Sequence, residues 1–229
     1  MIKHVLGVKI DDVSLNEAIK IVESWLKIDG KHYIVTPNPE FIVTAQKDLE
    51  FKKILNNADL SVPDGNGLKI GSDIVCNTPG IDLMEELIRM VSGKGFTVGF
   101  LGGRDGVAEK TSKCLQKRYP KLKVSFAVEE FKSLKDLKLL KTDLLFVAFG
   151  HPKQEKWIAE NLPKIDVKVA MGVGGAFDYI SGQIPRAPRW IRSLGLEWLF
   201  RLIIQPRRIK RQLALLKYLW LLTKYNKNV

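Results

Sequence analysis

Apolar and polar positions alternate with two different periods along the chain, and the change of period marks out its elements. Val5–Ile10 alternates with period two, as a strand with one buried face does. Ser14 stands three residues before Glu17, so a capping box opens a helix that runs to Leu26. β-Branched residues predict a strand over His32–Thr36, ending in Thr36-Pro37-Asn38-Pro39. Helical spacing returns over Glu40–Asn57, and a short strand at Leu60–Val62 ends in Pro63-Asp64-Gly65. A helix over Asp82–Val91, a buried strand over Phe96–Leu101 and a helix over Gly106–Arg118 follow. Val124–Val128 and Leu144–Phe149 read as strands, Lys153–Asn161 as a helix and Val167–Val173 as a last strand, with Gly174-Gly175 leading into another helix. This order predicts an α/β fold: a Rossmann-like, mostly parallel sheet with helices on both faces.

Strand signals stop after Gly182. Two or three helices remain, punctuated by Pro185, Pro188 and Pro206. The expected division is an α/β catalytic domain over residues 1–182 and a C-terminal helical appendage over residues 183–229. Charge supports that division. Of the formal net charge of +12, residues 183–229 supply +10, with eleven Lys and Arg against the single acid Glu197. The same tail is strongly apolar, with Leu194, Leu196, Trp198, Leu199, Phe200, Leu202, Ile203 and Ile204, then Leu213 to Leu222 broken mainly by Lys217. A basic, tryptophan-bearing, apolar helix favours an anionic membrane surface over a nucleic acid duplex. An ordinary packed helix pair is the other reading, and apolar helices left exposed would also favour self-association into a homo-oligomer.

Composition closes off other classes. With 45% hydrophobic and 27% charged residues the chain is neither collagenous nor disordered. Cys76 and Cys114 are its only cysteines, which gives no disulfide framework and suits a reducing cytosol. No apolar run is long enough for a signal peptide or a membrane span, so the expectation is a cytoplasmic protein without either.

Candidate chemistry sits at the predicted strand ends, where open α/β sheets bind ligands. Thr36 and Asn38 follow one strand and serve either as polar contacts or as a structural turn. Asp64 is either a turn residue or a lone carboxylate aimed into the cleft, able to act as general base on a hydroxyl. Gly102-Gly103 before a helix lets backbone approach a phosphate, yet it is not a dinucleotide fingerprint, and no Walker motif is present. Gly150-His151-Pro152-Lys153-Gln154 opens another helix: Gln154 could point at a nucleotide or sugar, while His151 reads better as a structural histidine. Gly172 to Asp178 repeats the pattern. Arg201, Arg208 and Arg211 can share a helix face, and Arg is the residue that meets a diphosphate bidentately; a solvated basic face is the alternative. The histidines are scattered, and no metal or cofactor motif appears.

Taken together, the segments resemble the WecG/TagA/CpsF family, glycosyltransferase family 26. The matches are Thr36-Pro37-Asn38-Pro39-Glu40, Pro63-Asp64-Gly65, Gly80-Ile81-Asp82-Leu83, Phe100-Leu101-Gly102-Gly103, Gly150 to Glu155, Gly172 to Asp178, and a long final block from Arg186-Ala187-Pro188-Arg189-Trp190 through Gly195 to Arg201 and on to Pro206-Arg207-Arg208. The resemblance spans nearly the whole chain. It departs in one place: family members carry a longer segment where only Asn66 to Pro79 intervenes here, and no residue is carried over from that loop. The resemblance implies a bacterial enzyme at the cytoplasmic membrane face. It would transfer a sugar from a UDP-sugar to undecaprenyl-diphosphate-linked N-acetylglucosamine, without metal or other cofactor. The branch it looks closer to transfers N-acetylmannosamine with inversion, starting the wall teichoic acid linkage unit; the other uses N-acetylmannosaminuronic acid. The resemblance makes Asp64 the catalytic base; the leaving diphosphate needs fixed cations, and without a metal motif Arg201, Arg208 and Arg211 are the expected supply. Thr36, Asn38, Gly102, Gly103, Gly150 and Gln154 are then the expected substrate contacts. A non-catalytic UDP-binding module docked on a membrane is the reading from another class.

Overall fold

A computed structural model of the chain describes residues 1–131, 136, 141–188, 190–191, 196–206 and 209–226, the side chains of 201, 210–212 and 226 excepted. The capping box forms as the sequence requires. The Ser14 N–H donates to Glu17 Oε2 at 2.8 Å, Glu17 N–H returns to the Ser14 hydroxyl, and α1 runs Leu15–Leu26.

Six parallel strands make the main sheet: β3 (His32–Val35), β4 (Leu60–Ser61), β5 (Thr97–Gly102), β6 (Lys123–Val128), β7 (Lys141–Ala148) and β8 (Asp166–Gly172), in the spatial order β4-β3-β8-β7-β5-β6. Parallel pairing needs crossovers, which intervening helices supply: α2 (Pro39–Ala45), α3 (Leu49–Asn56), α4 (Gly80–Val91), α5 (Val107–Arg118) and α6 (Lys153–Asn161); α7 (Ala176–Ile180) follows the last strand. Side chains leave alternate faces of each strand. Leu144 and Phe146 of β7 therefore pack with α1, α4, α5 and α7, while Leu145 and Val147 pack with Ile158 and Leu162 on the α6 side. Helices thus cover both faces, and the fold class is α/β, Rossmann-like.

Two elements differ from the periodicity reading. The run 5–10 is a hairpin, β1 (Ile2–Val5) and β2 (Val8–Asp11), turning at Leu6 (φ 50°) and Gly7 (φ 76°). A two-residue turn with both φ values positive matches the twist of the paired strands, and burial of Leu6 offsets its backbone strain. The hairpin guards the sheet edge, where Asp11 Oδ2 accepts the Ser61 N–H of β4 at 2.8 Å. The single helix over 40–57 is two, because Asp48 accepts the Phe51 N–H at 2.9 Å and restarts the chain as α3.

The short loop 66–79 is tied down from outside. Asp12 accepts the N–H groups of Cys76 (2.7 Å) and Val75 (3.1 Å) and pairs with Lys3 at 2.8 Å. Burial works against ionisation there, but these partners hold the Asp12 carboxyl well below the usual range.

The tail contributes α8 (Glu197–Ile204) and α9 (Ile209–Asn226). Helix α9 is apolar on two faces. Tyr218 and Leu222 are buried in a second core with the hairpin, α2, α3, Leu68 and Ile74. Leu213, Leu216 and Trp220, spaced i, i+3 and i+7, are exposed on another. No helix among the described residues is long and apolar enough to cross a membrane.

Candidate active site

All five loops singled out in the sequence lie on one edge of the sheet, because every strand points the same way. In spatial order they follow β4 (Asp64), β3 (Thr36 to Asn38), β8 (Gly174-Gly175), β7 (Gly150) and β5 (Gly102-Gly103). At ~4.8 Å per strand the edge from β4 to β5 is roughly 19 Å long. That suits an extended ligand with chemically different ends.

At the β4 end, backbone bonds lace two loops together. Asp64 N–H donates to the Pro37 carbonyl at 2.9 Å and Val62 N–H to the Val35 carbonyl at 3.0 Å. Asn77, to which the sequence analysis gave no part, accepts the Gly65 N–H at 2.8 Å, and Thr78 N–H donates to the Pro63 carbonyl at 2.8 Å. Asp64 is thereby held beside the Thr36–Asn38 turn. Asn38 takes up the structural role its type favours: its Oδ1 caps α2, accepting Glu40 N–H (2.9 Å) and Phe41 N–H (3.2 Å). Thr36 is buried, with its hydroxyl against Gly80 at the start of α4, where a β-carbon would lie 3.2 Å away.

At the other end, Gly102 has φ 108°, and a β-carbon there would lie 2.7 Å from the Ala148 carbonyl carbon. Only glycine fits. Gly103 N–H donates to the Ala148 carbonyl at 3.1 Å, joining the β5 loop to the β7 loop.

Between the two ends sits Gln154, 3% exposed. Its Oε1 accepts the N–H of Gly150 (3.1 Å) and of Gly174 (3.0 Å), and its Nε2 donates to Glu155 Oε1 at 2.7 Å. His151 is structural. It stacks on Phe41, and its Nε2 lies 3.1 Å from the Thr44 hydroxyl. That hydroxyl donates to the Glu40 carbonyl, so it accepts from His151 Nε2–H. Of the tail arginines, Arg208 lies outside the described residues, as do the side chains of Arg201 and Arg211. Their backbones stand in α8 and α9. Arg211 precedes Leu215 by one turn, and Leu215 lies against Gly67 beside Pro39.

Besides Asn77, two residues escaped the sequence analysis. Arg186 reaches Asp82, Glu85 (3.3 Å) and Glu197 (3.9 Å), and so joins α4 to the tail helix α8. It lies inside the final block, but nothing local in sequence marks its partners. Glu155 is 1% exposed on α6. Burial pushes its carboxyl up from 4.5 to about 7 against the opposing Gln154 hydrogen bond. The folded state therefore holds a proton that the unfolded chain releases. Relative to high pH this linkage favours the fold in full below about pH 4.5 and is lost as pH rises to about 7, by about 3 kcal/mol at most, because ionising the buried carboxyl is what costs stability. Glu155→Gln should flatten that slope, so that unfolding in urea at pH 5 and pH 8 gives closer midpoints than in the unaltered protein. An unchanged slope would remove Glu155 as its source.

The chain is similar to known proteins along nearly its whole length. A sequence model of the glycosyl transferase WecG/TagA/CpsF family matches residues 3–229. The chain is 30% identical, over 98% of its own length and 93% of theirs, to proteins of Staphylococcus aureus strains MRSA252 and NCTC 8325 / PS 47. The strain MW2 protein is 29% identical over the same shares. Each is named N-acetylglucosaminyldiphosphoundecaprenol N-acetyl-beta-D-mannosaminyltransferase.

Proposed function

The chain belongs to the glycosyl transferase WecG/TagA/CpsF family, and from that premise we propose that it is an inverting hexosyltransferase moving N-acetylmannosamine from UDP-N-acetylmannosamine to undecaprenyl-diphosphate-linked N-acetylglucosamine, at the start of the wall teichoic acid linkage unit. The relatives' shared name supports the acceptor and the sugar. The observation that carries the reading is the gathering of Asp64, the Thr36–Asn38 turn and the glycine loops on a single sheet edge.

In this reading Asp64 takes the proton from the acceptor hydroxyl as its oxygen attacks the anomeric carbon. The bond from that carbon to the UDP oxygen breaks, and UDP leaves with the electron pair from the opposite side, which inverts the centre. The departing diphosphate gathers charge, which fixed cations stabilise. Arg201, Arg208 and Arg211 supply them, and the packing of Leu215 beside Pro39 and Gly67 brings the start of α9 towards the Asp64 loop. The Thr36–Asn38 turn meets sugar and acceptor, Asn38 through the amide nitrogen that its cap of α2 does not use. Gly102, Gly103 and Gly150 admit the nucleotide end, and Gln154 acts through the loops it holds.

The domain over 1–182 carries the base and the sugar contacts, and the tail 183–229, which brings the arginines, docks on it and on the inner face of the membrane. Leu213, Leu216 and Trp220 form the apolar contact, with Lys217 and Lys224 for anionic headgroups. Lys224 Nζ already sits 5.5 Å from the Trp220 ring centroid.

The test is UDP release from UDP-N-acetylmannosamine with and without the lipid-diphosphate acceptor. Release that depends on the acceptor supports the reading. Release only from another UDP-sugar overturns the donor, and none across a panel of UDP-sugars, with folded protein and good acceptor, overturns the activity.

A further inference from the structure

We propose that Glu155 is a positioning residue whose carboxylate holds the side-chain amide of Gln154 in the one orientation that lets a single oxygen keep the β7 and β8 loops together. The proposal rests on the reading that these loops line the donor site.

The two N–H groups that meet Gln154, from Gly150 and Gly174, are both donors and need an oxygen. An amide can turn either its oxygen or its NH2 towards them, and which way it points is decided by its surroundings. Turned the wrong way, it would set NH2 against two half-buried N–H groups and take away the acceptor they share. Glu155 decides the matter from the other side. Its Oε1 accepts from Gln154 Nε2 at 2.7 Å and, once the carboxyl is ionised above about pH 7, would repel the amide oxygen. Gly172, the last residue of β8, makes room for the pair, since a β-carbon there would lie 2.7 Å from Gln154 Nε2 and 2.9 Å from Glu155 Oε1.

Stability does not account for a carboxylate at this place. Glu155 is 1% exposed, and its Oε2 has no hydrogen-bond partner among the described residues. Burying a half-satisfied carboxyl is unfavourable, and a well-packed apolar side chain of similar volume is commonly neutral or better. What Glu155 supplies that an apolar residue would not is the choice of amide orientation, and through it the relative placement of two loops whose strands lie side by side in the sheet.

The test uses the full chain and three forms: unaltered, Glu155→Met, and the exchange Gln154→Glu with Glu155→Gln. Glu155→Met removes the buried carboxyl but leaves Gln154 free to turn. It should unfold at the same or a higher temperature at pH 8, while kcat/KM for the UDP-sugar falls about 10- to 100-fold, the usual cost of a small misplacement. The exchange puts a carboxylate oxygen on the two glycine N–H groups and lets the amide now at position 155 donate to it, so it should recover most of the loss. A second measurement does not depend on activity: amide hydrogen exchange at Gly150 and Gly174 should speed up in Glu155→Met and slow again in the exchange form. Unchanged protection at both glycines in Glu155→Met would overturn the positioning role. So would an exchange form that is folded but no better than Glu155→Met. Altered protection with unchanged kcat/KM would keep the positioning role and overturn the assignment of these loops to the donor.

Discussion

Asp64→Asn is expected to lower acceptor-dependent UDP release by about 10²- to 10⁴-fold, the contribution of a positioned general base, with the unfolding temperature and UDP binding left as they were. The substitution keeps the shape of the side chain and removes its basicity. Backbone groups hold the loop as well, through Asp64 N–H on the Pro37 carbonyl and Gly65 N–H on Asn77, and the substitution leaves both bonds in place. Single-turnover release with saturating acceptor measures the chemical step. Near-normal turnover would remove Asp64 from the role of base. Loss of folding together with turnover would make it a turn residue instead.

Tyr218→Ala has the largest expected effect on stability, about 3–5 kcal/mol as for other large aromatic truncations. Tyr218 is fully buried in the core that the hairpin, α2 and α3 share with α9. Its hydroxyl lies 3.4 Å from the Leu68 and Ile70 carbonyls, which is long for a hydrogen bond, so Tyr218→Phe should cost less than about 1 kcal/mol. Urea unfolding of the two variants separates ring packing from the hydroxyl. An unchanged midpoint in Tyr218→Ala would mean that α9 is not docked in solution. The same packing bears on any truncated chain. A fragment ending near residue 182 lacks both Tyr218 and Leu222, so its loss of activity would report a weakened core as well as missing arginines. Substitutions at Arg201, Arg208 and Arg211 test the cations without opening that core.

The exposed face of α9 leads to a related expectation for membrane binding. Trp220→Ala should weaken binding to anionic vesicles and leave stability nearly unchanged, because Trp220 is 58% exposed while its neighbours on the opposite face carry the packing. Equal binding by both forms would place the membrane contact elsewhere in the tail.

Period and punctuation were enough to find most of this fold. A capping box such as Ser14–Glu17 is a local device, complete within four residues, and it forms as read. Strands that alternate with helices admit few arrangements, since parallel neighbours require crossovers. The strand-end motifs therefore came together on one edge without any further information. The departures were local too. Gly7 marked the hairpin turn and Asp48 the start of a second helix, but each also fits inside a longer regular run, and only the packing chose between them.

The sequence by itself determined the α/β class, the strand-end placement of Asp64, Thr36 and the glycine pairs, and the basic, apolar character of the tail. These follow from short-range patterns and from the direction that every parallel strand must share. Only the tertiary structure decided that Gln154 holds two loops from within, that Glu155 lies buried behind it, that Arg186 joins α4 to α8, and that one face of α9 belongs to the core while another stays exposed. Each of these depends on a partner far away in sequence. Gln154 is twenty residues from Gly174, and Tyr218 is about one hundred and fifty from Leu68. No local pattern encodes such distances; the sheet brings those residues together after its strands have found their order.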